Sequence, residues 1–176
     1  FQGGVGDSEN MYYADLISDY ATPIVRPGDQ VGDFVLNRVV WPDINDAGDV
    51  VFKGEYNDPI EESSGIFLRD SLTDTVECLA ATGDVIGSVL LANVNSLAIN
   101  DTDDVIFSGG YYEGDVMKSA IFHIDLATRE SRILVRLGDS VDGFVLDYIG
   151  KIDLNDSGDV VFYAYRVEDT DCFFHL

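Results

Sequence analysis

One stretch of this chain returns twice at a fixed interval, and that constrains its fold more than any other feature. The copies read Asn45-Asp46-Ala47-Gly48-Asp49-Val50-Val51-Phe52, Asn100-Asp101-Thr102-Asp103-Asp104-Val105-Ile106-Phe107 and Asn155-Asp156-Ser157-Gly158-Asp159-Val160-Val161-Phe162, with a step of 55 residues each time. Self-similarity at such a period means that one supersecondary unit is repeated and that neighbouring units bury each other's apolar faces. Asn and Asp side chains bond their own backbone in tight turns and Gly accepts positive φ, so the polar half of each copy reads as a hairpin turn leading into a strand. In the second copy Asp103 stands where the others have Gly48 and Gly158. An aspartate is expected there in the left-handed region, making that turn the most strained of the three.

Other landmarks keep the same step. Gly28-Asp29, Gly83-Asp84 and Gly138-Asp139 each precede an apolar run, Phe34-Val35-Leu36, Val89-Leu90-Leu91 and Phe144-Val145-Leu146. That strand runs on to the Asn-Asp turn, with Pro42 interrupting only the first copy. After the turn come a strand, then an Ile-Phe strand (Ile66–Asp70, Ile121–Leu126), then a last strand (Val76–Ala81, Arg132–Arg136). Met11–Leu16 and Thr22–Arg26 repeat the final pair. No stretch keeps a 3.6-residue apolar period, so the fold class is all-β. Four short strands in a unit of this length are the pattern of a β-propeller blade; a β-trefoil-like pseudo-threefold barrel is the alternative. Val50-Val51-Phe52 and its counterparts do not alternate in polarity, which fits strands covered on both faces.

The expected organisation is a tag remnant and flexible lead-in over 1–10 (Phe1-Gln2-Gly3 resembling a cleaved tag), then a single β-repeat domain over 11–176. Within it, 11–29 is a partial blade, 31–82 and 86–137 are complete, and 141–176 is partial. Joined as one composite blade, the two ends give three blades, whereas single-chain propellers typically have four to eight. Either two chains pair head to tail as a homodimeric six-bladed ring, or the chain is part of a longer propeller, or the units close as a trefoil-like barrel.

The units resemble the tandem-repeat family known by its NxxGxxxAF motif, found in bacterial surface and secreted proteins. Asn45 to Phe52 and Asn155 to Phe162 carry the pattern, Asn100 to Phe107 lacks its Gly, and the Ala before Phe is Val or Ile throughout. The order of turn, strand, Ile-Phe strand and Asp125-Leu126-Ala127-Thr128 turn is also similar to Tol-type propeller blades. The resemblance implies blade-like repeats and a secreted or cell-surface location, and says almost nothing about activity.

Thirty-three acidic and ten basic side chains give a net charge of −23, which repels nucleic acid and anionic membranes. The surplus suits divalent cations, basic partners or a high-salt habitat; lysine occurs only at Lys53, Lys118 and Lys151. Cys78 and Cys172 fall at non-equivalent repeat positions, so they read as one disulfide or two buried thiols rather than a repeated metal feature. No apolar run has the roughly 18 residues of a membrane helix.

Candidate ligand-binding residues sit on loops that a rigid scaffold would present. Asp29, Asp84 and Asp139 could converge as a carboxylate ring that binds a cation, or each could cap its own turn through backbone amides. The Asn-Asp turns carry alternating oxygens faintly like a calcium loop but lack the chelating twelfth position of an EF-hand. The middle loops, Asn57 to Ser64, Gly109 to Lys118 and Arg166 to Asp171, share the Gly-Asp face, and Tyr111-Tyr112 beside Glu113 and Asp115 offers a sugar-stacking platform or a packed strand end. His123 and His175 take equivalent repeat places but lack a third ligand, and Ser63-Ser64-Gly65 lacks the frame of a nucleophile elbow. The chain is therefore expected to be a non-catalytic extracellular module that binds a glycan or protein, or assembles with itself; the alternative is a secreted polysaccharide-active enzyme using loop carboxylates as acid and base.

Overall fold

The computed structural model describes residues 10–14, 20–57, 62–165 and 172–175. Every regular element within them is a strand. An antiparallel pair, β1 (Met11–Ala14) and β2 (Ala21–Val25), precedes the first complete repeat. That repeat is a meander in which β3 (Gln30–Val31), β4 (Phe34–Ile44), β5 (Val50–Asn57), β6 (Glu62–Asp70) and β7 (Thr75–Ala81) lie side by side in chain order. The second repeats it with β8 (Val85–Ile86), β9 (Val89–Ile99), β10 (Asp104–Glu113), β11 (Val116–Asp125) and β12 (Ser131–Arg136). In the third, a small hairpin of β13 (Ser140–Val141) and β14 (Phe144–Val145) leads into a sheet of β15 (Tyr148–Leu154), β16 (Val160–Tyr165) and β17 (Cys172–His175). Among the described residues, ladders join only strands of one repeat, as in a propeller.

Three apolar cores glue these sheets into a series. Met11 and Val25 pack with Leu36, Phe52 and Phe67, which seats the β1–β2 pair on the first full sheet. Val51, Ile66 and Leu68 pack with Leu91, Val105 and Phe107, joining the first sheet to the second. Ile106 and Ile121 pack with Leu146, Val160 and Phe162, joining the second to the third. The non-alternating runs are explained by this sandwiching: Val50, Val51 and Phe52, like Val105, Ile106 and Phe107, are all buried because each strand is covered on both faces. Equivalent phenylalanines have equivalent surroundings, Phe52 stacking on Phe67 at 5.7 Å and Phe107 on Phe122 at 4.9 Å. The rings lie so close to the second strand that a Cβ on Gly54 would stand 2.6 Å from Phe67.

Two expectations are corrected. The ends do not merge into a composite blade: β17 occupies the third place beside β16, Ala164 facing Cys172 and Val161 facing His175, and β1 is itself a third strand by its repeat position. One slot cannot hold both, so among the described residues β1–β2 stays a separate two-stranded sheet ahead of the three repeats. Gly109 to Lys118 is not a loop either. β10 and β11 pair continuously to Glu113 opposite Val116, and only Gly114 and Asp115 turn the chain, with Gly114 at φ 64°. Ser63 and Ser64 are buried strand residues of β6, while the loops over 58–61 and 166–171 lie outside the described residues.

The Asn turns bind the repeats to one another. In each copy the Asn Oδ1 accepts the amide of the residue four later, Asp49, Asp104 or Asp159, at 2.9 Å. The other end of the amide reaches the next repeat: Asn45 Nδ2 donates to the Asn100 carbonyl at 3.3 Å, and Asn100 Nδ2 to the Asn155 carbonyl at 3.0 Å. Beside this line, the Asp46 amide donates to Asp101 Oδ1 and the Asp101 amide to Asp156 Oδ1. The expected left-handed aspartate is present, Asp103 at φ 65° where Gly48 and Gly158 have φ 87° and 82°.

Three substitutions test this frame. Asn100 is 3% exposed and joins two repeats, so Asn100→Ala should cost about 3 kcal/mol in urea denaturation, since it removes several bonds and orphans buried groups. Asn100→Asp, which keeps the acceptor oxygen and loses the donor, should fall between. Asp103→Gly should raise stability by about 0.5–1 kcal/mol in the same assay by relieving the left-handed strain.

Candidate functional site

The first strands of the three repeats, β4, β9 and β15, all lose register just before their Asn turns. The slips fall between Val40 and Asp43, between Val94 and Leu97, and between Ile149 and Ile152. A bulge bends its strand and re-aims a side chain. Trp41 shows the effect most strongly: its backbone sits at φ 55°, a conformation that costs a bulky residue of the order of 1–3 kcal/mol. Its indole is 51% exposed although it is the only tryptophan of the chain.

These bulged segments meet. Trp41-Pro42-Asp43, Ser96-Leu97-Ala98 and Lys151-Ile152-Asp153, which are equivalent triplets one repeat apart, together line a cavity of about 590 Å³. It lies where three sheets converge, towards the end that carries the Asn turns. Trp41 supplies an aromatic wall, and the Lys53 ammonium lies 4.9 Å from its ring centroid, held also by Glu55 at 3.0 Å. Asp43 is anchored across repeats by accepting the Ile99 amide at 2.9 Å, and Asp153 accepts the Leu154 amide at 2.9 Å. Two of the three lysines of a strongly acidic chain thus gather here, beside two carboxylates, a hydroxyl and an indole. Such a set offers stacking and mixed hydrogen bonding in one concave place.

The residues singled out from sequence are placed elsewhere. Asp29, Asp84 and Asp139 each accept the backbone amide three residues earlier, from Arg26, Ala81 and Arg136, at 2.8 Å every time. Their main chains also bond Leu36, Leu91 and Leu146, so each carboxylate caps its own Gly-Asp turn. Among the described residues no group of three or more His, Cys, Asp or Glu is arranged to hold a metal ion. Tyr111 is 1% exposed and belongs to the core between the first two sheets, so its ring presents no face to a ligand; Tyr112 is 48% exposed on the opposite side of its strand. Cys78 is a free, half-buried thiol, and burial together with the Asp84 carboxylate pushes its pKa up to about 12, which suppresses the nucleophilic thiolate.

His123 has a defined setting of its own. Its Nε2 lies 2.6 Å from Asp104 Oδ1, and its Nδ1 accepts from Arg132 Nε at 3.2 Å, so the neutral ring carries its proton on Nε2. Partial burial works against ionisation of Asp104, but hydrogen bonds from His123, Asn100 and Thr102 outweigh it and hold the carboxyl below its usual range. Asp104, His123 and Arg132 border a second cavity of about 280 Å³ between the second and third repeats, walled by Ile106, Leu134, Leu154 and Val160. Among the described residues no serine, threonine or cysteine lines it.

Sequence reasoning looked to the Gly-Asp face and passed over Trp41 and Lys151. A signal was available: at repeat positions 41, 96 and 151 the chain reads Trp, Ser and Lys, a divergence inside a strand that is otherwise regularly repeated.

No curated protein matches the chain. A family model does, over residues 3–173. With its repeats, its turns and its central cavity all inside that span, the chain belongs to DUF7453, a family of unknown function.

Proposed function

We propose that this protein is a non-catalytic binding module and that its ligand, a glycan, seats in the central cavity against Trp41. The observation that carries this reading is the exposure of the sole tryptophan, at a strained φ, on the wall of the cavity in which the three repeats converge. Strain of that kind is retained where the surroundings over-determine a conformation, and such places cluster at ligand sites. An indole face stacks on the apolar face of a pyranose, while Ser96, Lys151, Asp43 and Asp153 offer donors and acceptors for hydroxyl groups. The resemblance to surface-protein repeats supports a secreted or cell-surface setting for such a module.

The alternative, glycoside hydrolysis by loop carboxylates, has less support. A general acid needs a raised pKa. Among the described carboxylates whose acidity departs from the ordinary, Glu55, Asp70, Asp104, Glu113 and Asp125, every departure is downward. The Gly109 to Lys118 segment, meant to supply an acid-base pair, is a tight hairpin whose Glu113 is engaged by Lys118.

The single tryptophan reports directly on this site. Titrating an array of soluble oligosaccharides should, for the matching one, shift the emission of Trp41 and saturate. Trp41→Ala should weaken that binding at least tenfold by calorimetry while the urea midpoint stays near that of the parent, because the indole is half exposed and alanine carries the same Cβ at the same positive φ. Binding that leaves the fluorescence untouched, or that survives Trp41→Ala, would refute the assignment.

A further inference from the structure

The middle repeat carries an exposed apolar row that the first repeat lacks. Four residues stand opposite one another on adjacent strands: Val85 pairs with Leu90, Leu90 with Tyr112, and Tyr112 with Met117. Directly paired residues point to one face of a sheet. All four turn away from the first sheet, since their chain neighbours Ile86, Leu91 and Tyr111 are buried in the core shared with it. Val85 is 68% exposed, Leu90 46%, Tyr112 48% and Met117 57%.

The openness belongs to the architecture and the apolar chemistry to this repeat. Val35, the equivalent of Leu90, is 55% exposed although the five-stranded second sheet follows it, so this end of a sheet face stays open even where a whole neighbour packs on the rest. At the four places the first repeat reads Gln30, Val35, Asn57 and Glu62, with Gln30 paired to Val35 and Asn57 to Glu62 in the same register. Three polar residues there are Val85, Tyr112 and Met117 here. The rim of the row is acidic. Asp84 precedes Val85 at one end, and Glu113 and Asp115 lie at the hairpin tip between Tyr112 and Met117. Glu113 is engaged by Lys118, whereas Asp115 is exposed and has no cationic partner among the described residues. A contiguous apolar patch with a polar rim marks an interaction site.

We propose that this row docks a basic amphipathic helix of a partner protein, with the helix's apolar stripe on Val85, Leu90, Tyr112 and Met117 and its Lys or Arg side chains over the acidic rim. Charge selects this occupant. A second copy would bring a like charge of −23, and the same field repels nucleic acid and anionic lipid, whereas a cationic protein segment is drawn to it. Length fits as well. Strands lie about 4.8 Å apart, so the row runs about 14 Å from Val85 to Met117. Apolar residues at i, i+4 and i+8 of a helix span about 12 Å. Tyrosine and methionine are both enriched in protein interfaces, and the pliable methionine side chain adapts to the surface it meets.

Fluorescence anisotropy with a labelled leucine-lysine peptide of about 14 residues, its leucines spaced to form one helical stripe, tests this. Saturable binding to one site per chain is expected, and the same residues in scrambled order, equal in charge, should bind at least tenfold more weakly. Joint replacement Tyr112→Ser and Met117→Ser leaves the net charge unchanged and should raise the Kd of the striped peptide about tenfold or more. Asp115→Asn should raise it about two- to threefold at low salt, an effect that disappears near 0.5 M NaCl. A thermal scan of each variant checks the fold, and Val85→Ser, at the far and most exposed end of the row, repeats the test independently. No saturable binding, equal binding of the scrambled peptide, or a Kd indifferent to the serine variants would show attraction by net charge alone and overturn the proposal. So would sedimentation showing self-association that the serine variants abolish, which gives the row to a second copy.

Discussion

The structure depends on a side-chain amide that faces two ways. In the first two repeats the motif asparagine closes its own turn with its oxygen and holds the following repeat with its nitrogen, so Asn45 and Asn100 each set both the hairpin and the distance to the next repeat. Neither half of the amide is replaceable by a residue with only a donor or only an acceptor, and Asn100 is buried, where an unpaired polar group costs about 1–3 kcal/mol. The stacking of sheets follows from this spacing. Once adjacent turns are tied, the strands that leave them are held side by side, and the strands after the turns meet neighbouring sheets across a gap that apolar side chains fill.

The same geometry explains why so acidic a chain folds. Much of its aspartate is occupied in turns: Asp29, Asp84 and Asp139 hold backbone amides, Asp70 holds those of Leu72 and Thr73, Asp125 that of Thr128, and Asp49 that of Ser71 across to the next turn. Backbone bonding from Thr73 and Thr128 is the chief reason the Asp70 and Asp125 carboxyls ionise more readily than usual. These groups stabilise the fold above the ordinary carboxylate pKa and lose that contribution as pH falls through their depressed values. The negative field is therefore in good part the by-product of a β-repeat built with aspartate turns, which weakens any inference from net charge to a cation ligand.

What was legible in the sequence is what repetition encodes. Strand order, turn positions and the left-handed Asp103 all follow from comparing three copies, because identical backbone demands leave identical residues. The extent of strands was less legible: Gly109-Gly110 looks like loop, yet the glycines lie in a strand where Asn93 and Phe122 press close, and a Cβ on Gly109 would stand 2.5 Å from the Asn93 carbonyl oxygen. The central cavity was invisible for a different reason. Its lining comes from bulges, and a bulge at Trp41-Pro42 leaves only a proline and an out-of-place aromatic as its trace. The fate of the ends was also hidden, since the repeat pattern alone could not say whether β1 or β17 would take the single place beside β16.

The cavity lining at 41, 96 and 151 and the strand face at 38, 93 and 148 are both places where the copies stop resembling one another. At 41, 96 and 151 the change is from indole to hydroxyl to ammonium around one cavity. At 38, 93 and 148 with their cross-strand neighbours it is from ion pairs to amides to stacked phenols on successive faces. Cross-strand pairs of any of these kinds stabilise a sheet by similar amounts, about 0.2–1 kcal/mol, so sheet stability does not choose among them. What differs is the chemistry each presents to something outside the sheet.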